Sequence, residues 1–334
     1  MTDASPLIEA QQRFADAVPF RVVGSESCPL PQALGRTLYQ DLVAPADAPP
    51  YHRVIVEGFI VNTADTQGAS EEHPKSFSII GEVKPGDAAC PPIGPGQAVV
   101  VSTGSIAPDG AVSVVRMWEA KRQGDGFTIS RPFPPRFFLE DQGCDVKKGA
   151  VVLSAGTVLD PAAIGTVASL GINTLEVARV PEVVVFASGD EVIPYTEPMR
   201  PGMIRDCNSV MLAAAITQAG GVPSFGGIMG DDFDAFVAGA RAALQGADML
   251  VISGGTAVGG RDFISDLVRA LGELIVDGVP MRSGRPLIMG VAQGKPIVCV
   301  AGHPPEALRG FRLFGVAAMN RLLGRNADLP VDFQ

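Results

Sequence analysis
The chain has 334 residues, 46% hydrophobic and 19% charged, with a formal net charge of -10. That length calls for more than one core, that composition excludes a disordered chain, and that charge argues against broad nucleic-acid or anionic-membrane binding. Five widely spaced cysteines without a C-x-x-C pair, and three scattered histidines, read as reduced thiols without a zinc cluster. The N-terminal segment carries Asp3 and Glu9 and lacks the apolar core of a signal peptide, and no apolar run is long enough to span a bilayer, so a cytoplasmic protein is expected.

In chain order, apolar positions at helical spacing (Leu7, Ile8, Phe14, Ala15, Val18) predict a helix over 5–18, ended by Pro19. A short helix around Gln32–Leu38 and a strand near Tyr39–Val43 are expected next, then a proline-rich linker, PADAPP. From Tyr51 to about Cys144, short apolar runs alternate with Gly and Pro, the pattern of an all-β module, a small barrel or sandwich. Two short strands around Ser154–Gly156 precede a helix capped by Asp160, with Pro161 in its first position and Gly171 at its end.

From Val183 the pattern becomes alternating β and α. Strands are expected at Val183–Ala187, Val222–Met229 and Met249–Ile252, with helices at Asn208–Ala219, Asp232–Leu244 and Ile264–Leu271. A β segment over Leu274–Val300 and a last helix over Ala307–Leu323 complete an α/β fold: a parallel sheet with helices on both faces. Three strands end in small polar residues: Ser188-Gly189-Asp190, Ser253-Gly254-Gly255 followed by Gly259, and Gly302-His303-Pro304. Strand, glycine turn and helix leave backbone N–H groups free for a bulky anion, so one ligand crevice is expected at the carboxyl edge of the sheet.

These motifs carry a resemblance. PPYHRVIVEGFIVNTAD, VSTGSIAPDGAVSVV, GCDVKKGAVVLSAGTVLDPAAIGTVASLGI, ASGDEV, GMIRDCNSVMLAAAITQAGG, MGDD, SGGTAVGGRD, MRSGRPLIMG and AGHPPEALRGF stand in the order and at the spacing of the molybdenum insertase family. That family comprises the bacterial molybdopterin molybdenumtransferases and the matching domain of gephyrin. The resemblance covers nearly the whole chain. It implies an elongated multi-domain protein, usually a homodimer, that binds molybdopterin or its adenylate with Mg2+, inserts molybdate and releases AMP. It also implies that the family's last module, a small β-barrel, is absent here. The expected division is an α/β molybdopterin-binding domain over 1–20 and 180–325, a small α+β linker domain over 21–46 and 145–179, and the all-β module over 47–144.

Site residues carried over from the resemblance are, for catalysis, Glu57, Asp190 and Asp262. For the pterin they are Thr103, Ser188, Gly189, Asp206, Ser253, Gly254, Gly255, Gly259, Arg282, Arg285, Gly302 and Pro304, and for the metal Asp262 and Asp231. Mg2+ prefers one or two carboxylates plus phosphate oxygens, which suits such a set. Asp262, Asp231 and Asp232 read equally as acids at helix starts. The chain departs from the family at several of these positions. Glu57 replaces an Asp, Gly260 an acid, Arg282 and Arg285 two lysines, and His303-Pro304-Pro305-Glu306 the sequence Asn-Pro-Val-Ser. Both arginines keep the charge and grip an oxyanion through two N–H groups. Glu306 adds negative charge where an anion would dock.

Three functions stay open: an insertase with altered or weakened chemistry, a non-catalytic cofactor carrier serving a molybdoenzyme partner, and an interaction scaffold that kept the fold without the ligand.

Overall fold
In the computed structural model, residues 6–20, 23–230, 232–254, 263–279 and 286–326 are described. Their pairings and packing divide the chain into two units, one of residues 1–41, 154–165 and 172–334, the other of 42–153 and 166–171.

The first unit is built on a six-stranded sheet. Its strands in chain order are β1 (Glu182–Ser188), β2 (Val222–Met229), β3 (Met249–Gly254), β4 (Glu273–Asp277), β5 (Ile288–Ala292) and β6 (Lys295–Val300). Their spatial order is β2-β1-β3-β6-β5-β4. β2, β1, β3 and β6 run parallel. β5 pairs antiparallel with β6, and β4 antiparallel with β5, so the β segment expected over 274–300 is three strands, of which β5 alone runs against the others, and the sheet is mixed at that edge. Gln293 and Gly294, at φ 55° and 75°, supply the tight turn between β5 and β6.

Side chains alternate across the parallel strands, which assigns each residue to a face. Val183, Val185, Met249, Val251, Val298 and Val300 face one core, together with Leu212, Ile216, Phe14, Phe311 and Phe314. Phe186, Leu250, Ile252, Ile297 and Cys299 face the other, against Phe236, Ala240, Leu244, Ile264 and Leu267. The helices are α1 (Pro6–Ala17), α2 (Pro161–Ser169), α3 (Asn208–Ala219), α4 (Phe233–Gly246), α5 (Phe263–Leu271), α6 (Pro304–Gly310) and α7 (Val316–Leu323), the last two joined by a π-helical turn at Phe311–Gly315. α1 reaches the C-terminal helices: Gln11 donates to the Leu313 carbonyl at 3.0 Å, and Phe14 meets Phe314 at 6.2 Å between ring centres. An antiparallel pair, Ser25–Pro29 with Thr174–Ala178, completes this unit.

Two expectations are corrected. The helix around 32–38 is absent. Pro29 precedes and Pro31 lies within a single 3-10 turn at Leu30–Gln32, after which Thr37 and Leu38 make isolated β-bridges to Val158 and Val177. The strand expected to break at Ser253 instead runs through Gly254, because Ser253 pairs with Ala187 and Gly254 with Ser188.

The second unit holds an open six-stranded sheet in the order 112–116, 58–62, 97–101, 75–83, 126–129, 121–123. Strands 58–62, 97–101 and 112–116 are buried on both faces, with Phe59, Val61 and Val115 on one side, beside Phe77 and Phe127, and Ile60, Val99, Val101, Val112 and Val114 on the other. Those three strands therefore read as apolar runs rather than as alternation, whereas 121–123 is exposed throughout. An open mixed sheet takes the place of the expected barrel or sandwich. Among the described residues no helix is long and apolar enough to cross a membrane.

Candidate functional site
The strand order sets the site. From β1 the chain goes through α3 to β2 on one side, and from β2 through α4 back across β1 to β3 on the other. Connections that leave in opposite directions open a crevice above the carboxyl ends of the two strands, here between β1 and β3.

The expected small residues converge at that edge. Ser188 ends β1 beside Gly254, which ends β3. Gly254 has φ +97°, and a Cβ built on it would lie 2.6 Å from the Ser188 carbonyl oxygen. Only glycine lets the two backbones approach this closely. Gly302, after β6, lies next to it: its own Cβ would stand 3.6 Å from the Gly254 Cα. Gly189 follows β1 at φ 140° and donates its N–H to the Met229 carbonyl at 3.1 Å. Asp190 and Glu191 are exposed at the same edge. The Asp190 carboxylate lies over Gly230, where a Cβ would come within 2.7 Å of Oδ1.

A residue that pattern reading passed over holds these ends together. Asn208, the first residue of α3, donates from Nδ2 to Ser253 Oγ at 2.8 Å and to the Gly302 carbonyl at 2.7 Å. Ser253 in turn donates to the Ala301 carbonyl at 3.2 Å. All three elements, α3, β3 and β6, are thus tied by one buried amide. The only local signal was its place in DCNS, at the start of a predicted helix.

The remaining expected residues serve in different ways. Asp206 is buried, and its Oδ1 accepts the Ser209 N–H at 2.9 Å, satisfying a free donor at the start of α3. Asp232 caps α4, its Oδ1 accepting from Ala235 at 3.0 Å. Pro304 opens α6, whose first turn contains Glu306. Glu57 and Thr103 belong to the second unit and are both exposed. The Glu57 carbonyl accepts from Met117 at 3.4 Å, and Thr103 sits in the turn whose Gly104 N–H donates to the Val54 carbonyl at 2.8 Å. Gly255, Gly259, Asp262, Arg282, Arg285 and Asp231 lie outside the described residues. Among the described residues no group of three His, Cys, Asp or Glu side chains forms a metal cage.

Residues 5–171 match the family model described as the MoeA N-terminal region, domains I and II, and residues 184–321 match one described as a probable molybdopterin binding domain. The chain belongs to the MoeA family. A molybdopterin molybdenumtransferase of Staphylococcus aureus is 29% identical over 329 residues, 97% of this chain and 77% of that one. One from Staphylococcus epidermidis is 29% identical over 302 residues, 90% of this chain and 72% of that one. The crystal structure of a molybdopterin biosynthesis MoeA protein from Pyrococcus horikoshii OT3 superimposes with a TM-score of 0.83 at 30% identity, covering 96% of this chain and 80% of that chain. The fold and the family membership expected from the motifs therefore hold for this MoeA relative.

Proposed function
We propose that this MoeA-family chain binds molybdopterin or its adenylate at the carboxyl edge between β1 and β3, and acts in molybdenum cofactor biosynthesis as an insertase with altered or weakened chemistry. The observation that carries this reading is the convergence of Ser188, Gly254 and Gly302, where absent side chains leave main chain next to the crevice. A pterin phosphate needs such a surface, since hydrogen-bond donors can reach its oxygens only where no Cβ intervenes.

Mg2+ fits the donor chemistry. It takes one or two carboxylates and completes its shell with phosphate oxygens and water. The exposed Asp190 supplies such a carboxylate, and Asp262 and Asp231 are proposed with it on the resemblance. When bound, the ion neutralises phosphate charge. Molybdate is the substrate to be inserted. Ser188 and Gly189 line the entry, Asn208 holds β3 and β6 in register, and Glu57, Thr103, Arg282 and Arg285 are assigned to substrate on the resemblance alone.

The carrier reading is favoured by one feature, Glu306 in the first turn of α6, where negative charge opposes an anion. Titration calorimetry with molybdopterin tests binding, and absence of heat at millimolar ligand overturns it. Steady AMP release from the adenylate with molybdate and Mg2+ identifies the insertase, whereas binding without turnover identifies the carrier. A homodimer in the cytoplasm, without nucleic acid or membrane, completes the proposal, and light scattering of the purified chain checks the dimer.

A further inference from the structure
At the opposite end of the same strands, below the starts of β1 and β2, lies a second pocket of about 450 Å3. Two arginines, Arg36 and Arg325, are among the residues that line it. Arg36 uses Nη2 for the Glu26 carboxylate and for the Ala178 carbonyl at 2.8 Å. Arg325 uses Nε for Thr37 Oγ1 at 2.8 Å and Nη1 for the Ala219 carbonyl at 3.1 Å. That carbonyl is in the last turn of α3, so the helix dipole offsets part of the Arg325 charge. Among the described residues no carboxylate pairs with Arg325, and nothing accepts from its Nη2 or from Nε and Nη1 of Arg36.

A half-buried guanidinium without a carboxylate is an imbalance, and burial does pull the Arg325 pKa below the ordinary arginine range. An oxyanion restores the balance, because it brings both the charge and the acceptors that two arginine forks can grip. The rest of the lining combines apolar Leu34, Val158, Val180 and Leu323 with the polar side chains of Thr217 and Gln218, beside Gly220 and Gly221. The volume falls in the range of small-molecule sites and exceeds what a bare phosphate fills.

We propose that this pocket binds a small organic phosphate monoester, its phosphate between Arg36 and Arg325 and its apolar body against Leu34, Val158, Val180 and Leu323. The site is independent of the pterin crevice, which lies at the carboxyl ends of the strands.

Phenyl phosphate, inorganic phosphate and phenol, each titrated into the full chain, test this by calorimetry and amide NMR. Phenyl phosphate is expected to bind more tightly than inorganic phosphate, phenol not at all, and the largest shifts to fall on Gly220, Gly221 and Arg36. Arg36→Gln is expected to weaken phenyl phosphate about tenfold, as for loss of one charge-assisted contact. Arg36→Lys, which keeps the charge and loses the fork, guards against misfolding and is expected to weaken it several-fold at an unchanged melting temperature. Shifts confined to Ser188, Gly189 and Gly254 overturn the proposal and place the phosphate in the pterin crevice instead. Equal affinity for inorganic phosphate, or wild-type affinity in Arg36→Gln, also overturns it.

Discussion
Gly254 shows how one missing side chain governs a site. Its φ of +97° and the 2.6 Å separation between a built Cβ and the Ser188 carbonyl oxygen leave a methyl group no room. Gly254→Ala is expected to destabilise the first unit by about 1–3 kcal/mol, since strained backbone and a displaced strand end add together. It should also weaken pterin binding, because β1 and β3 must separate at the crevice. Urea denaturation and calorimetry measure the two effects, and undiminished pterin affinity in a destabilised variant would detach Gly254 from the ligand. Asn208 acts through its amide rather than through an absence. Its two bonds tie the Ser253 hydroxyl, which also donates to the Ala301 carbonyl, to the Gly302 carbonyl, and loss of such a bond typically costs about 0.5–1.5 kcal/mol. Among the cysteines, Cys299 is buried in the sheet, and burial alone pushes its thiol far above the ordinary range, which makes it a packing residue.

At the scale of elements, caps and strand ends account for much of what the acids do. Asp232 and Asp206 both hold the first turn of a helix, so two acids that the family motifs align with ligand chemistry also have a structural duty. In the second unit, the turn Met117–Glu119 depends on a carboxylate between two guanidinium groups. Glu119 accepts from Arg116 Nε at 2.8 Å and from Arg131, and these contacts, the Arg116 hydrogen bond first, hold its pKa below the reference 4.5. A depressed carboxylate pKa contributes stability that is present above the unfolded value and is lost as pH falls through the folded one. Thermal melting of the second unit is therefore expected to drop more steeply below about pH 4.5 in the wild type than in Glu119→Gln. Parallel melting curves for the two would show the pair to be worth nothing there.

At the scale of the whole molecule, each unit carries cores of its own. Phe127 is stacked between Phe59 and Phe77, at 4.2 and 5.3 Å between ring centres, in the second unit's sheet. Phe127→Ala removes a fully buried ring and is expected to cost that unit about 3–5 kcal/mol. Scanning calorimetry should show one transition moving down while the transition of the first unit stays in place. A single transition that shifts as a whole would mean that the units melt together. The alternation of strand and helix from Val183, the apolar runs of 51–144 and the helix limits at Asp160 and Gly171 were all legible in the chain, because each rests on neighbours a few residues apart. So were the small residues that end β1, β3 and β6. Order along the chain was enough for these local elements and, through motifs in register, for the family. Long-range pairing set the rest: that β3 continues through Gly254, that β5 runs against its neighbours, that Thr37 and Leu38 form bridges instead of a helix, and that Asn208 clasps two strand ends. Those outcomes depend on pairing between residues tens to a hundred positions apart, and no local period or propensity records which partner a strand edge or a buried amide will meet.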